Sequence, residues 1–82
     1  MNFQQLEYIL AVDKYKNFVK ASEACFVTQA TLSMMIKKLE EELAVRIFDR
    51  SKKPVKTTEV GKKIIFQARK ITSESKRFDK LF

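Results

Sequence analysis

Apolar side chains recur at helical spacing in four stretches of this chain, and the breaks between those stretches set its element order. Phe3, Leu6, Ile9 and Leu10 carry the first period, which runs to about Val12, and Asn2 with Gln5 three residues on is a capping pair for its start. The polar run 13–16 interrupts the pattern. Asn17 then caps a short second helix whose apolar positions are Phe18, Ala21, Ala24 and Cys25, mostly small enough to let another helix come close. Phe26 and Val27 prefer extended backbone and end it. Thr28 offers its hydroxyl to the open amides of a third helix over 29–43, in which Leu32, Ile36, Leu39 and Leu43 fall at i, i+4, i+7 and i+11 as one core-facing stripe.

Beyond this helix the period shortens. Residues 46–50 alternate around Ile47 with Phe48 beside it, and 55–57 form a second β-prone run; Ser51, Lys52, Lys53 and Pro54 between them predict a two-stranded wing with a basic tip. Thr58 caps a last helix that runs to the end of the chain, despite Gly61 in its first turn, which costs up to about 1 kcal/mol relative to Ala. In that helix Ile64, Ala68, Ile71, Ser75, Phe78 and Phe82 are spaced 4, 3, 4, 3, 4, the period of a coiled-coil seam. Such a seam needs a partner surface, so pairing with a second copy, membership of a longer chain, or both are expected. The pattern as a whole predicts a mainly α fold: a winged helix-turn-helix with a small two-stranded β-wing over 1–57, and a long C-terminal helix suited to dimerisation over 58–82.

Charge gives the pattern a direction. The chain of 82 residues has a net charge of +7, and the first 27 residues contribute none of it. Residues 28–63 carry nine basic groups against five acidic ones and residues 64–82 carry five against two, so the positive field begins with the third helix. Such a surface attracts polyanions, nucleic acid first among them. A single Cys25 excludes an intramolecular disulfide, and with no His the usual zinc ligand sets cannot be assembled. No cofactor and no catalytic constellation are expected, and no apolar run suggests a membrane span, so a non-enzyme located in the cytoplasm is the simplest placement.

The chemistry of a DNA-reading helix maps onto residues 28–38. Its first turns face the groove, where the helix dipole and free amides favour phosphates and the first side chains reach base edges. Gln29 is suited to a bidentate contact with adenine, and the methyl groups of Ala30 or Thr31 to a thymine methyl. Thr28, Thr31 and Ser33 are suited to phosphates, which fix register without reading sequence. Met34, Lys37 and Lys38 share the outward face with Ala30 and Ser33, whereas Glu40, Glu41 and Glu42 read as a solvated face and Cys25 as a small buried apolar residue. Arg50, Lys52, Lys53 and Lys56 charge the wing. Two other readings stay open on these residues alone: a module binding an acidic protein or anionic membrane surface, and a DNA binder without sequence preference.

The run Asn17-Phe18-Val19-Lys20-Ala21-Ser22-Glu23-Ala24, then Val27-Thr28-Gln29-Ala30-Thr31-Leu32-Ser33, Ile36-Lys37-Lys38-Leu39, Phe48-Asp49-Arg50 and Thr58-Glu59-Val60-Gly61 closely resembles the N-terminal DNA-binding domain of LysR-type transcriptional regulators. The resemblance covers essentially the whole chain. It implies a transcription regulator bound to double-stranded DNA at a roughly palindromic promoter site, and a homodimer through antiparallel linker helices, the long C-terminal linker helix here being 58–82. A small-molecule effector would be sensed by a further domain outside this sequence. It also places Gln29, Ala30, Ser33 and Met34 toward bases and nearby phosphates, Thr28 and Thr31 toward the backbone, and Arg50, Lys52 and Lys53 on the wing. Ala30 stands where the family commonly has proline, Met34 and Met35 where it usually has polar or basic residues, and Cys25 where it usually has a larger aliphatic one.

Overall fold

A computed structural model describes residues 1–79 of the chain, with side chains described through Ser73. The order is α1 (Phe3–Tyr15), α2 (Phe18–Ala24), α3 (Gln29–Leu43), β1 (Phe48–Asp49), β2 (Lys56–Thr57) and α4 (Glu59–Asp79). Mainly helical with a single two-stranded antiparallel sheet, it is a winged helix-turn-helix followed by a long helix. The strands pair Phe48 with Thr57 and Asp49 with Lys56, so the wing is shorter than its two β-prone runs.

Local chemistry fixes three helix starts where the sequence places them. The Asn2 carboxamide accepts from the Gln5 amide at 2.8 Å while the Gln5 side chain accepts from the Asn2 amide at 3.1 Å, a complete capping box. Asn17 accepts from the Lys20 amide at 2.9 Å, and Thr28 Oγ1 from the Thr31 amide at 3.1 Å. Helix α1 runs three residues beyond the predicted end. It closes on Lys16, whose left-handed backbone lets its amide bond Val12 O.

The core forms where α1 crosses α2, α3 and α4. Ile9 and Val12 of α1, Ala21 of α2, Leu32, Ile36 and Leu39 of α3, Ile47 and Phe48 at the wing's root, and Ile65 and Ala68 of α4 are buried together. The Phe18 ring meets Phe48 edge-on at 6.1 Å. Three apolar positions expected inside lie out: Phe3 in the first turn of α1, Ala24 at the last residue of α2 and Leu43 in the last turn of α3.

Helix α4 packs on its own chain through a stripe one residue away from the 64, 68, 71 spacing. Gly61, Ile65, Ala68 and Thr72 are buried, so the helix turns this stripe, rather than one through Ile64 and Ile71, toward the rest of the chain. Ala68 is thus enclosed by its own chain and offers nothing to a partner helix; Ile64 is half-buried against the same core, while Ile71 is exposed. The side chains of Ser75 and Phe78, and all of Phe82, lie outside the described residues.

Gly61 shows why no side chain is tolerated at the foot of α4. A Cβ there would collide with the Ile47 carbonyl oxygen and come within 2.9 Å of Thr58 Oγ1. What looks from sequence like a propensity penalty is a close approach of α4 to the wing's first strand. Thr58 organises the junction: its amide donates to Ile47 O at 2.9 Å, its hydroxyl donates to Arg46 O at 2.6 Å, and the same oxygen accepts from the Gly61 amide at 3.0 Å.

Candidate nucleic-acid interface

Once Leu32, Ile36 and Leu39 turn inward, the opposite side of α3 is left bare. Thr28, Gln29, Ala30, Met34, Lys37 and Lys38 are exposed, and Thr31 and Ser33 half-buried. Met34 keeps 48% of its surface accessible, whereas Met35 is half-buried and its carbonyl oxygen accepts from Gln5 Nε2 at 3.2 Å. The Thr28 hydroxyl donates to Thr31 Oγ1 at 2.9 Å, which ties the first turn together.

The wing stands beside this face. Lys52, Lys53 and Lys56 are exposed, and Asp49 Oδ1 accepts from both the amide of Ser51, at 3.0 Å, and its hydroxyl, at 2.5 Å, which shapes the bend leading to the tip. These two bonds, with the nearby Lys52 and Arg46 charges, hold the Asp49 carboxyl below its usual range. The Val55 amide donates to Lys16 O at 3.1 Å and anchors the return strand to the end of α1. Between α3 and the wing runs an open groove of about 610 Å³ lined by Gln29, Ser33, Arg50, Lys52 and Lys53. Asn17, Val19 and Lys20 of the α2 end line its other side. The sequence marks Asn17 as a cap and gives no sign that it, Val19 or Lys20 faces the groove, beyond a lysine one turn after that cap.

Arg50 behaves differently from the other wing cations. Its Nη1 donates to Ser33 Oγ at 2.5 Å, Nη2 lies 3.8 Å from Glu40 Oε1, and the guanidinium carbon is 4.4 Å from the centre of the Phe18 ring. The expectation that Glu40 belongs to a solvated face is corrected with it. Glu40 Oε2 accepts from the Ile47 amide at 2.7 Å and the Phe48 amide at 3.3 Å, caps that the buried β1 entry requires. Glu41 and Glu42 are exposed as expected.

A second polar cluster ties the wing to α1 and α4. Asp13 Oδ1 accepts from Lys16 Nζ at 2.8 Å and Thr57 Oγ1 at 2.7 Å, while Arg69 of α4 reaches Oδ2 at 3.0 Å. Burial would raise the Asp13 carboxyl, but the hydrogen bonds from Lys16 and Thr57 and the charges of Lys16 and Arg69 outweigh it and hold the group below the usual carboxylate range. Cys25 is half-buried, and burial, helped by the charge of Glu7, pushes its thiol up, away from the reactive thiolate. Among the described residues no cluster of three potential ligands could hold a metal ion, and no helix is long and apolar enough to cross a membrane.

Known proteins carry the same arrangement. Residues 3–62 match the family model described as bacterial regulatory helix-turn-helix protein, lysR family. The hydrogen peroxide-inducible genes activator of Haemophilus influenzae is 41% identical over 76 residues, which is 93% of this chain and 25% of that protein. Full-length OxyR from Pseudomonas aeruginosa superposes with a TM-score of 0.93 at 42% identity, over 99% of this chain and 28% of the other. The BenM DNA-binding domain, solved in complex with benA site 1 DNA, superposes with a TM-score of 0.95 at 33% identity over 99% of this chain and 91% of its own. The chain therefore spans about a quarter of the length of the curated relatives it matches. That family comprises regulators rather than enzymes, and this chain, with its bare α3 face beside a lysine-tipped wing, belongs to the lysR family of bacterial regulatory helix-turn-helix proteins.

Proposed function

We propose that this chain is the DNA-reading part of a transcription regulator, with α3 lying in the major groove of a duplex and the wing on the adjacent backbone or minor groove. The observation that carries this reading is the exposure of Gln29, Ala30 and Met34 on α3 and of Lys52, Lys53 and Lys56 on the wing, with Gln29, Lys52 and Lys53 lining one groove between the two elements. The likeness to a BenM domain solved on DNA supports it. In this reading Gln29 and the Ala30 methyl meet base edges, and Thr28, Thr31, Lys37 and Lys38 serve the phosphates with the wing lysines. Met34 can offer apolar contact only. Residues 1–57 form the reading unit and 58–82 the linker helix, through which two copies pair and present two reading units to a roughly palindromic site. Since Ala68 is enclosed, that pairing uses the side of α4 that Ile71 leaves exposed. The sensing of a small molecule belongs to the remainder of a longer protein, acting in the cytoplasm, and the reading unit itself needs no cofactor.

The test is selection of bound duplexes from a random pool at two salt concentrations. A two-fold symmetric motif is the expected product, with affinity falling steeply as salt rises, by a log–log slope of about 0.9 for each phosphate neutralised. An unenriched pool at both salts, from a protein that sediments as a dimer, would refute sequence-specific reading. Retained preference in the double variant Gln29→Ala, Ser33→Ala would point to recognition by another surface.

A further inference from the structure

Arg50 leaves β1 among the wing cations, yet its guanidinium is spent inside the molecule. Ser33 and Glu40 are seven residues apart on α3, two turns along one face, and Arg50 spans both, donating from Nη1 to Ser33 Oγ at 2.5 Å and holding Nη2 3.8 Å from Glu40 Oε1. Phe18 of α2 closes the third side, 4.4 Å from the guanidinium carbon. Nη2 is buried, without a hydrogen-bond partner, although the side chain as a whole keeps 30% of its surface accessible, so the fork is anchored on its Nη2 side by its surroundings.

The consequence falls on Ser33. A serine hydroxyl has one proton to donate and two lone pairs to accept with, whereas a guanidinium only donates. Arg50 therefore fills an acceptor position of Ser33 Oγ and leaves its proton unused. Two other helical hydroxyls return their proton to the backbone, Ser22 Oγ to Val19 O at 2.7 Å and Thr72 Oγ1 to Ala68 O at 3.1 Å, whereas Thr31 Oγ1 accepts from Thr28 and, like Ser33, has no acceptor for its own proton among the described residues. Among the described residues Ser33 Oγ donates to nothing, and it lines the groove between α3 and the wing.

We propose that Arg50 is a positioning residue: it fixes Ser33 as an obligate hydrogen-bond donor aimed at an acceptor atom of the duplex. This inference rests on the DNA-reading function proposed above and adds that Arg50, unlike Lys52 and Lys53, is no phosphate ligand. The acceptor is either a purine N7 in the major groove or a phosphate oxygen, and the two are separable by experiment.

The test uses the selected duplex and the variants Ser33→Ala, Arg50→Lys, Arg50→Gln and the double variant Ser33→Ala, Arg50→Lys. Arg50→Lys keeps the charge and discards the planar fork. Each of Ser33→Ala and Arg50→Lys should weaken binding by roughly 3- to 10-fold, the worth of one hydrogen bond, and the double variant should be no weaker than the worse single one. The salt slope of Arg50→Gln should equal that of the natural chain, measured on samples whose melting curves show them folded. If Arg50→Gln does not fold, the slope is read on Arg50→Lys paired with Lys52→Gln, which should lose about one phosphate equivalent per subunit and no more. Duplexes with single 7-deazapurines, and others with single methylphosphonates, locate the acceptor: one substitution should weaken the natural chain and leave Ser33→Ala and Arg50→Lys indifferent. Additive single effects, a slope lowered by about 0.9 per subunit in Arg50→Gln, or no substitution with that pattern would overturn the inference while leaving the selected motif intact. A natural chain that selects no motif defeats the proposed function itself, and this inference with it.

Discussion

Replacing Gly61 by alanine is the perturbation whose sign separates local propensity from tertiary geometry. On propensity alone the change should stabilise α4 by about 1 kcal/mol, because glycine is the poorer residue inside a helix. The structure reverses this. The new methyl group would meet the Ile47 carbonyl oxygen, with Thr58 Oγ1 at 2.9 Å and the Ile47 carbonyl carbon at 3.1 Å. The obstructing atoms are chiefly backbone, so no rotamer change relieves the clash, and α4 must lift from the wing's root. Overpacking of this kind costs about 1–3 kcal/mol. The lift also stretches the Thr58 amide bond to Ile47 O, 2.9 Å long, and the Thr58 hydroxyl bond to Arg46 O, 2.6 Å long, each worth about 1 kcal/mol. Set against the propensity gain, the net loss is about 2–4 kcal/mol. For a domain of this size 1 kcal/mol moves the melting temperature by about 4–8 °C, so Gly61→Ala should melt roughly 10–30 °C lower. Thermal unfolding followed by circular dichroism at a fixed protein concentration gives the number, the concentration being held because pairing of chains would shift it. A variant that melts at or above the natural chain would show that α4 does not approach Ile47 as described.

Three further outcomes follow from separate features. Ala44 closes α3 with φ 56°, a conformation that suits glycine, so Ala44→Gly should gain about 1 kcal/mol and raise the urea midpoint; a lowered midpoint would argue against the left-handed cap. Glu40→Ala leaves the Ile47 and Phe48 amides without the carboxylate that accepts both, and a loss of about 2–4 kcal/mol in urea unfolding is expected, with Glu40→Gln milder because it keeps one acceptor. The lowered carboxyl of Asp13 means that the unfolded chain binds its proton first as pH falls. Stability from this group is thus complete above the usual carboxylate pKa and is lost as pH drops through the lower native value. Asp13→Asn should flatten that acid limb and cost about 1 kcal/mol near neutral pH, a modest figure because Arg69 is largely solvated; an unchanged acid limb would remove Asp13 from the linkage.

What the sequence revealed and what it hid differ by the range of the interactions involved. The caps at Asn2, Asn17 and Thr28 and the stripe through Leu32, Ile36 and Leu39 depend on neighbours three or four residues away, and all appear in the structure. The outward face of α3 follows from the same period. Leu43 fails because periodicity cannot tell where a partner helix ends. The stripe of α4 that packs on the chain's own core, 61, 65, 68 and 72, was not legible beside the 64, 68, 71 spacing, because only contact with α1 decides which side is covered within one chain. By sequence position alone Arg50 is a wing charge and Glu40 part of a solvated face. Their roles are set by partners such as Ser33, seventeen residues before Arg50, and the wing's root, seven and eight residues after Glu40. Asp13 meets Thr57 and Arg69 across 44 and 56 residues, beyond anything a local pattern can signal.

The central claim is that the bare side of α3 and the wing touch one duplex together. Its most direct test is a titration of the methyl- and amide-labelled chain with the selected duplex, followed by nuclear magnetic resonance. The account predicts that the Met34 and Ala30 methyls and the Lys52, Lys53 and Lys56 amides shift together and saturate at the same DNA equivalent, while Phe3 and Phe66 stay unmoved. Shifts confined to one of the two elements, or gathered around Phe3 and Phe66 instead, would contradict it.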